Sequence, residues 1–188
     1  MGSTLAKAFE FAAKIHAGQT RKGKDVPYIS HVMAVSSLVM ECGGSEKAAV
    51  AAILHDVVED SEGKVLITDL EKNFGKDVAS MVDALTDAKS FPKGPWKKRK
   101  ELYLSQLDSA SDEVKLIAAC DKWHNLNCLL KDLDDEGEEV WERFSCRPDQ
   151  QLWFYQSVLE RVQEVIPLWM AEDLEDGIEL LQQYLEEE

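Results

Sequence analysis

An apolar run that breaks abruptly into polar residues constrains the fold of this chain more than any other feature. Residues 48–54 are all apolar, and a helix without a polar face has to be buried. The run is followed directly by His-Asp-Val-Val-Glu-Asp at positions 55–60. A buried helix therefore delivers four ionisable side chains at one end, which predicts a polar site inside a helical domain.

Helical periodicity extends over nearly the whole chain. Ser30 and Ser45 are predicted to cap the second and third helices, and the spacing of Thr68 and Glu71 matches a capping box. No convincing strand and no internal repeat is present. The sequence predicts a single all-α domain over residues 1–188, with a core at about 5–145 that C-terminal helices in 146–188 complete. Helices are predicted over about 4–18, 30–42, 45–54, 68–74, 77–85, 96–107, 112–130 and 148–165, and from Glu172 to the end.

Composition excludes several classes of protein. The 188 residues are 45% hydrophobic and 30% charged, which is typical of a globular domain with a real core and not of a disordered chain. No window approaches the roughly 20 apolar residues of a membrane span. With 21 Lys and Arg against 36 Asp and Glu, the net charge is −15, and such a surface repels nucleic acid. A small phosphorylated ligand remains compatible with this charge if a basic patch or a metal offsets the field.

The four cysteines form no C-x-x-C pair, and nothing near the N-terminus resembles a secretory signal. We therefore expect free thiols, a cytoplasmic protein and no membrane partner. No feature of the sequence indicates an oligomeric state.

Two histidines and two aspartates are candidate metal ligands. His31 opens one helix, His55 and Asp56 close the buried one, and Asp121 lies midway along a long helix. Two imidazoles and two carboxylates suit Mn²⁺, Fe²⁺ or Zn²⁺ better than Ca²⁺. Four protein ligands still leave positions for water and substrate, as hydrolysis requires.

Glu59 and Asp60 lie one helical turn beyond His55 and Asp56. Carboxylates at a helix C-terminus oppose the helix dipole at a cost of about 0.3–1 kcal/mol each, and a nearby cation would offset that cost. We expect these two acids to orient or deprotonate the attacking water. The alternative is an ordinary solvated helix end.

Basic and polar residues flank this candidate site. Arg21, Lys22 and Tyr28 precede His31 closely enough to reach the same cavity, and arginine suits phosphate contacts or stacking on a purine. Lys122 and Asn125 flank Asp121 on the long helix. A further basic cluster either attracts a polyanion or forms a solvated helix face, whereas His16 and His124 are predicted to be structural. The basic cluster comprises Lys93, Lys97, Lys98, Arg99 and Lys100.

Taken together, these motifs resemble the hydrolase domain of RelA/SpoT-type alarmone enzymes, a group of HD-domain metal-dependent phosphohydrolases. The resemblance covers roughly residues 5–130 and rests on six segments that occur in the expected order. They are Phe-Ala-Ala-Lys-Ile-His-Ala-Gly-Gln-Thr-Arg-Lys at 11–22, Pro-Tyr-Ile-Ser-His at 27–31, Leu-His-Asp-Val-Val-Glu-Asp at 54–60, Phe-Gly at 74–75, Leu-Thr-Asp at 85–87 and Asp-Lys-Trp-His-Asn-Leu at 121–126.

The resemblance implies an all-helical HD bundle with one Mn²⁺ between its helices. It implies hydrolysis of the 3′-pyrophosphate of guanosine 3′,5′-bis(diphosphate), or of its pentaphosphate relative, to GDP or GTP and pyrophosphate. The chain is too short to hold a synthetase as well, so the expected form is hydrolase-only. By this resemblance the metal ligands would be His31, His55, Asp56 and Asp121. The residues acting on the water would be Glu59 and Asp60. The residues contacting the nucleotide would be Arg21, Lys22, Tyr28, Lys122 and Asn125.

Departures from the family pattern leave other substrates open. Val32 stands where proline is usual, residues 93–96 form a variant loop, and the resemblance fades beyond about residue 145. The alternatives are an adenosine alarmone, NADPH, a nucleoside monophosphate, or a non-catalytic nucleotide-binding module. The pairing of Glu59 and Asp60 with Arg21 and Lys22 argues against a nucleoside monophosphatase, and the complete ligand set argues against a module without activity.

Overall fold

The computed structural model of the protein describes residues 3–87 and 91–186, and this part of the chain is a bundle of helices without a β-strand. The predicted all-α class is confirmed. The basic loop between the first two helices is closed by an isolated bridge between Thr20 and Pro27. In chain order, the helices are α1 (Ser3–Ile15), α2 (Ile29–Glu41), α3 (Glu46–Leu54), α4 (Val57–Asp60), α5 (Ile67–Phe74), α6 (Lys76–Leu85), α7 (Trp96–Asp108), α8 (Asp112–Glu136), a 3-10 helix (Gly137–Arg143), α9 (Pro148–Val162) and α10 (Leu168–Glu186).

Helix α3 lies at the centre of the bundle. Every residue from Ala48 to Leu54 is buried, because the helix is surrounded by α1, α2, α6 and α8. This is the arrangement that its uniformly apolar sequence requires. The helix ends at Leu54, His55 occupies its C-cap, and Asp56 is the N-cap of the short helix α4. The abrupt change of polarity in the sequence thus coincides with a break between two helices inside the protein.

Three predicted helix starts can be compared with the structure. Ser45 caps α3 as expected, accepting a hydrogen bond of 3.1 Å from the amide of Ala48. The prediction for Ser30 was wrong, because α2 begins one residue earlier and the Ser30 hydroxyl donates to the carbonyl of Pro27. The capping box at Thr68 was also wrong. Helix α5 begins at Ile67, which puts Asp69 at the third helical position, where its carboxylate accepts from the amide of Leu66.

The C-terminal helix α10 begins at Leu168, four residues before the predicted start, and packs against α8 and α9. Its apolar face is buried and its acidic residues occupy the opposite face, so charge and burial are separated around one helix. Among the described residues, no helix combines the length and apolar character needed to cross a bilayer. The buried face of α10 consists of Met170, Leu174, Ile178 and Leu181.

Two adjacent leucines of α10 test this packing. Leu181 is fully buried, whereas its neighbour Leu180 is 44% exposed. We predict that Leu181→Ala lowers the free energy of unfolding by about 2–5 kcal/mol, because it leaves a cavity between helices, and that Leu180→Ala changes it by less than about 0.5 kcal/mol. Urea denaturation followed by circular dichroism measures both values. Equal losses in the two variants would contradict the packing of α10 on the bundle.

Candidate active site

Four predicted ligands from three parts of the bundle meet where α3 ends. His31 comes from the first turn of α2, His55 and Asp56 from the junction of α3 and α4, and Asp121 from the middle of α8. His31 Nε2 lies 3.1 Å from Asp121 Oδ1, and His55 Nε2 lies 3.0 Å from Asp56 Oδ2. The crossed distances, from His31 to Asp56 and from His55 to Asp121, are both 3.7 Å. The side chains therefore form one compact cluster of nitrogen and oxygen atoms.

The tautomer of His55 follows from its hydrogen bonds. Its Nδ1 donates to the carbonyl oxygen of Ala52 over 2.7 Å, which leaves a lone pair on Nε2 in the neutral ring. This Nε2 is buried and has no hydrogen-bond partner among the described residues. It faces carboxylate oxygens, which are also acceptors. Such an arrangement of acceptors is stable only when a cation or a proton lies between them.

His31 is oriented in a similar way by His124. The Nδ1 atoms of the two rings are 3.0 Å apart, so one ring donates to the other. Burial lowers the pKa of His31, and burial together with the neighbouring His31 and Arg21 lowers the pKa of His124 to about 4, so both rings are neutral near pH 7. When His31 is the donor in this pair, its proton is on Nδ1 and the lone pair of its Nε2 faces Asp121. Outer partners of this kind are usual behind metal-ligating histidines.

The two carboxylates are held by further side chains. The phenol of Tyr28 donates to Asp56 Oδ2 over 2.6 Å, and burial with the adjacent Asp56 keeps the pKa of Tyr28 well above its ordinary value. Asn125 donates to Asp121 Oδ1 over 2.6 Å, and the ammonium of Lys122 lies 2.5 Å from Asp121 Oδ2. Tyr28, Lys122 and Asn125, which were expected to meet the substrate, thus contact the predicted metal ligands directly.

The cluster fits a divalent cation of the borderline class. His31, His55 and Asp56 each offer one ligand atom, and these atoms all lie within 4.8 Å of one another. The donor set is the mixed nitrogen and oxygen set that suits Mn²⁺, Fe²⁺ or Zn²⁺. In the metal-free protein, burial disfavours a charged His55, but Asp56 and Asp121 outweigh this and hold the pKa of His55 well above its ordinary value. A proton then occupies the position that the cation would take.

Glu59 and Asp60 lie one turn beyond the cluster, as the sequence predicts. Both side chains are partly exposed to the same cavity, and Lys93 Nζ lies 2.8 Å from Glu59 Oε1 and 3.7 Å from Asp60 Oδ1. Burial and the negative charges of Asp56 and Glu59 raise the pKa of Asp60 to about 7. Burial, Asp87 and Asp56 also raise the pKa of Glu59. Asp60 can therefore exchange a proton near neutral pH, as a general base or acid must.

The cluster opens into a cavity of about 620 Å³, which is within the range of small-molecule sites. Among the residues that the structure describes, nine Lys and Arg side chains line this cavity, against six Asp and Glu side chains. The cavity is thus net basic in a strongly acidic protein, and it would attract a small polyanion. The nine basic residues are Arg21, Lys22, Lys24, Lys93, Arg99, Lys100, Lys122, Lys131 and Arg143.

Part of the basic cluster of residues 93–100 belongs to this cavity. Arg99 and Lys100 each lie 2.5 Å from the carboxylate of Asp87, which is almost fully buried. The ammonium of Lys100 also lies 4.7 Å from the ring centre of Phe154. Lys97 and Lys98 are exposed and do not line the cavity. The sequence pattern alone could not separate the two groups, because only the packing of α7 against α6 and α9 decides which residues face inward.

Of the ligands, acids and substrate contacts that the sequence predicted, all but His31 line this cavity, and His31 contacts Asp121, which lines it. Several contributors were missed. His124 was predicted to be structural, yet it contacts the candidate ligand His31. Its spacing of three residues from Asp121 was an available signal, because residues at that spacing share a helix face. Asp87 belongs to the Leu-Thr-Asp segment at 85–87 but was given no role, and Tyr103 carries no motif that points to the cavity; the tertiary structure brings both there.

Comparisons with known proteins agree with this geometry. The family model described as "HD domain" matches residues 8–150. The chain is 37% identical over 130 residues to the guanosine-3′,5′-bis(diphosphate) 3′-pyrophosphohydrolase MESH1 of Xenopus tropicalis, covering 68% of this chain and 70% of the relative. It is 35% identical over 147 residues to the protein of that name from Homo sapiens, covering 75% and 77%.

A solved structure is similar over nearly the whole chain. It is described as a metazoan ortholog of SpoT that hydrolyzes ppGpp and plays a role in starvation responses. The TM-score is 0.75 at 30% sequence identity, and the match covers 97% of this chain and 96% of the other. The similarity therefore includes α9 and α10, which lie beyond the 8–150 segment of the family model.

The raised pKa of Asp60 predicts how stability depends on pH. In the folded metal-free protein, Asp60 stays protonated up to about pH 7, whereas the ordinary aspartate pKa is 3.8. The raised pKa therefore contributes stability at low pH, and this contribution is lost as the pH rises from about 4 through 7. We predict that Asp60→Asn removes this loss. In the presence of chelator, its melting temperature should rise relative to the wild type by at least about 3 °C between pH 5 and pH 8.

The control for this prediction is Glu62→Gln, since Glu62 is exposed and lies only two residues away. Its melting temperature should follow that of the wild type at both pH values. A constant difference between Asp60→Asn and the wild type from pH 5 to pH 8 would contradict the assigned pKa.

Proposed function

We infer that this chain, which belongs to the HD-domain family, is a metal-dependent guanosine-3′,5′-bis(diphosphate) 3′-pyrophosphohydrolase. The observation that carries this conclusion is the cluster of two histidines and two aspartates at the base of a net basic cavity, on a fold shared with a protein that hydrolyzes ppGpp. Relatives with this activity are 35% and 37% identical to the chain. Water adds to the phosphorus attached to the 3′ oxygen, the bond between them breaks, and GDP or GTP and pyrophosphate leave.

The proposed ligands are His31, His55, Asp56 and Asp121, and the proposed ion is a single Mn²⁺, with Fe²⁺ or Zn²⁺ as other occupants. The cluster supports this assignment because the Nε2 atoms of two buried imidazoles lie 3.0–3.7 Å from the oxygens of two carboxylates. When bound, such an ion lowers the pKa of water and stabilises negative charge on phosphate oxygens. The ligands are deprotonated for binding, so metal uptake releases the proton that His55 otherwise retains.

Glu59 and Asp60 are the residues proposed to act on the water. Asp60, whose pKa is about 7 in the metal-free protein, is the group proposed to accept a proton from the water as it attacks and to return it to the leaving 3′ oxygen or to solvent. Lys93 pairs with Glu59 and holds that carboxylate beside Asp60. The same ammonium limits the repulsion between the two acids and an approaching polyphosphate.

The basic lining is proposed to bind the substrate diphosphates. Arg21, Lys22, Lys93, Arg99 and Lys100 all line the cavity. Several cations around one cavity match a nucleotide that carries diphosphates on both its 3′ and its 5′ oxygens. A guanidinium forms paired hydrogen bonds to phosphate, and an ammonium acts as a point charge. We propose a cytoplasmic location together with this small-molecule substrate.

Turnover tests the proposed reaction. We predict that the metal-stripped protein releases pyrophosphate from guanosine 3′,5′-bis(diphosphate) only after Mn²⁺ is added, and that Asp121→Ala lowers kcat/KM by at least about 10³-fold while remaining folded, because a ligand is lost. The measurement is chromatographic quantification of GDP and pyrophosphate. The adenosine analogue, NADPH and a nucleoside monophosphate serve as comparison substrates.

Each outcome of this assay has a distinct meaning. Preference for another nucleotide would replace the guanosine substrate and retain the metal chemistry. Tight nucleotide binding without any product in the presence of metal would contradict an enzyme and support a binding module. Full activity of Asp121→Ala would contradict the ligand set.

Metal binding itself has a separate readout in thermal stability. We predict that Mn²⁺ at about 100 times its Kd stabilises the stripped protein by about 2.7 kcal/mol, which raises the melting temperature by about 5–10 °C. His55→Ala should show no such increase, because it removes one ligand. His16→Ala is the matched control, since His16 is a buried histidine outside the cluster, and it should retain the increase. A full response in His55→Ala would refute the site.

A further inference from the structure

Consecutive residues of the loop between α1 and α2 contact residues of the 132–144 segment. The ammonium of Lys22 lies 5.4 Å from the ring centre of Phe144, and Lys24 forms an ion pair with Asp132 of α8. Between them, Gly23 meets the side chain of Arg143, the last residue of the 3-10 helix. The loop that carries Arg21 and Lys22 is therefore fixed by a segment more than 100 residues away in the sequence.

The contact between Gly23 and Arg143 is so close that any side chain at position 23 would displace Arg143. A Cβ atom placed on Gly23 would lie 2.2 Å from Arg143 Nε and 2.4 Å from Arg143 Cδ. The glycine also has a φ of +69°, which side chains rarely adopt. The guanidinium is held in turn by Asp132, whose Oδ2 is 3.4 Å from Nη1, and by Glu136. A glycine at position 23 therefore allows both the close approach of Arg143 and the positive φ of the turn.

The loop is also connected to the metal cluster. Arg21 Nη2 donates to Asn125 Oδ1 over 2.6 Å, and Asn125 Nδ2 donates to Asp121 Oδ1 over 2.6 Å. The position of the loop therefore sets the position of the Arg21 guanidinium relative to the cluster. Only Arg21 reaches the cluster through this chain of hydrogen bonds, whereas Arg143 contacts neither the candidate ligands nor the acids in the part of the chain described.

We propose that Arg143 is a positioning residue, which by packing over Gly23 fixes the 19–27 loop so that Arg21 and Lys22 meet the phosphates of the nucleotide. The identity of the nucleotide in this inference rests on the proposed function, but the contacts that hold the loop in place do not depend on that function. Planarity is essential to the role, because the guanidinium occupies the space beside the Cα atom of Gly23 while its nitrogens pair with two carboxylates. Lysine retains the charge but cannot form this arrangement.

The first test uses Arg143→Ala and Arg143→Lys in the full-length, Mn²⁺-loaded protein. Both variants should raise KM for guanosine 3′,5′-bis(diphosphate) by at least about tenfold and change kcat by less than about threefold, because binding is weakened and the reacting groups are retained. An Arg143→Lys variant with the KM of the wild type would overturn the proposal, since charge alone would then suffice. An Arg143→Ala variant with that KM would overturn it as well.

The second test follows the loop without using the activity. The segment offers trypsin three cleavage sites, at Arg21, Lys22 and Lys24. In both Arg143 variants, cleavage in 19–27 should accelerate by at least about tenfold relative to cleavage elsewhere in the same chain. Mass spectrometry of the fragments separates local release of the loop from general unfolding. If the wild type does not hydrolyse the nucleotide but the loop is released in the variants, the proposed function fails and the seating role stands.

Two glycines provide a matched control. Gly18 and Gly23 have similar φ values, +76° and +69°, but a Cβ on Gly18 would meet no atom within 4 Å. The Ala substitution at either position carries the same backbone strain, so a difference between the variants reports the displacement of Arg143. Gly23→Ala should reproduce the increase in KM and the cleavage of the loop, whereas Gly18→Ala should show neither. Identical behaviour of the two variants would overturn the role of the contact.

Discussion

The candidate site depends on the close approach of histidine nitrogens and carboxylate oxygens at the end of one buried helix. The Nε2 atoms of His31 and His55 face the carboxylates of Asp56 and Asp121 at distances of 3.0–3.7 Å. Buried acceptors without a donor are among the most costly arrangements in a protein interior. A proton offsets this unfavourable energy in the metal-free protein, and a divalent cation offsets it in the proposed active form. The surrounding residues keep the four side chains in place, so that the cation finds its ligands already assembled.

Charge is distributed to support this centre. The chain carries a net charge of −15, yet its main cavity is lined by more basic than acidic residues. A strongly acidic surface disfavours nucleic acid, and a local basic cavity with a metal at its base favours a small polyphosphate. The buried carboxylate of Asp87 contributes to this arrangement, because it fixes Arg99 and Lys100 at the rim of the cavity while its own charge is neutralised.

Much of the fold and of the candidate site could be predicted from the sequence, because the residues that determine them are adjacent in the chain. The run of apolar residues before His55 required a buried helix, and the polar residues after it required a site at the end of that helix. The roles of His124 and Arg143 could not be predicted in the same way. His124 acts through a neighbour on another helix, and Arg143 acts through a glycine on a distant loop. The helix start at Ser30 was misplaced because its hydroxyl donates to the carbonyl of Pro27 instead of capping, and the start at Thr68 was misplaced because Asp69 accepts from the amide of Leu66.

The location of the bound ion tests most directly the central claim, that His31, His55, Asp56 and Asp121 are the ligands of a metal ion. Crystals of the Mn²⁺-loaded protein, measured at the manganese absorption edge, would give an anomalous difference map that identifies the metal by position and element. The account predicts one major peak per chain, about 2.0–2.2 Å from the Nε2 atoms of His31 and His55 and from carboxylate oxygens of Asp56 and Asp121. A fully loaded protein whose peak lies elsewhere in the cavity, or among the surface carboxylates, would contradict it.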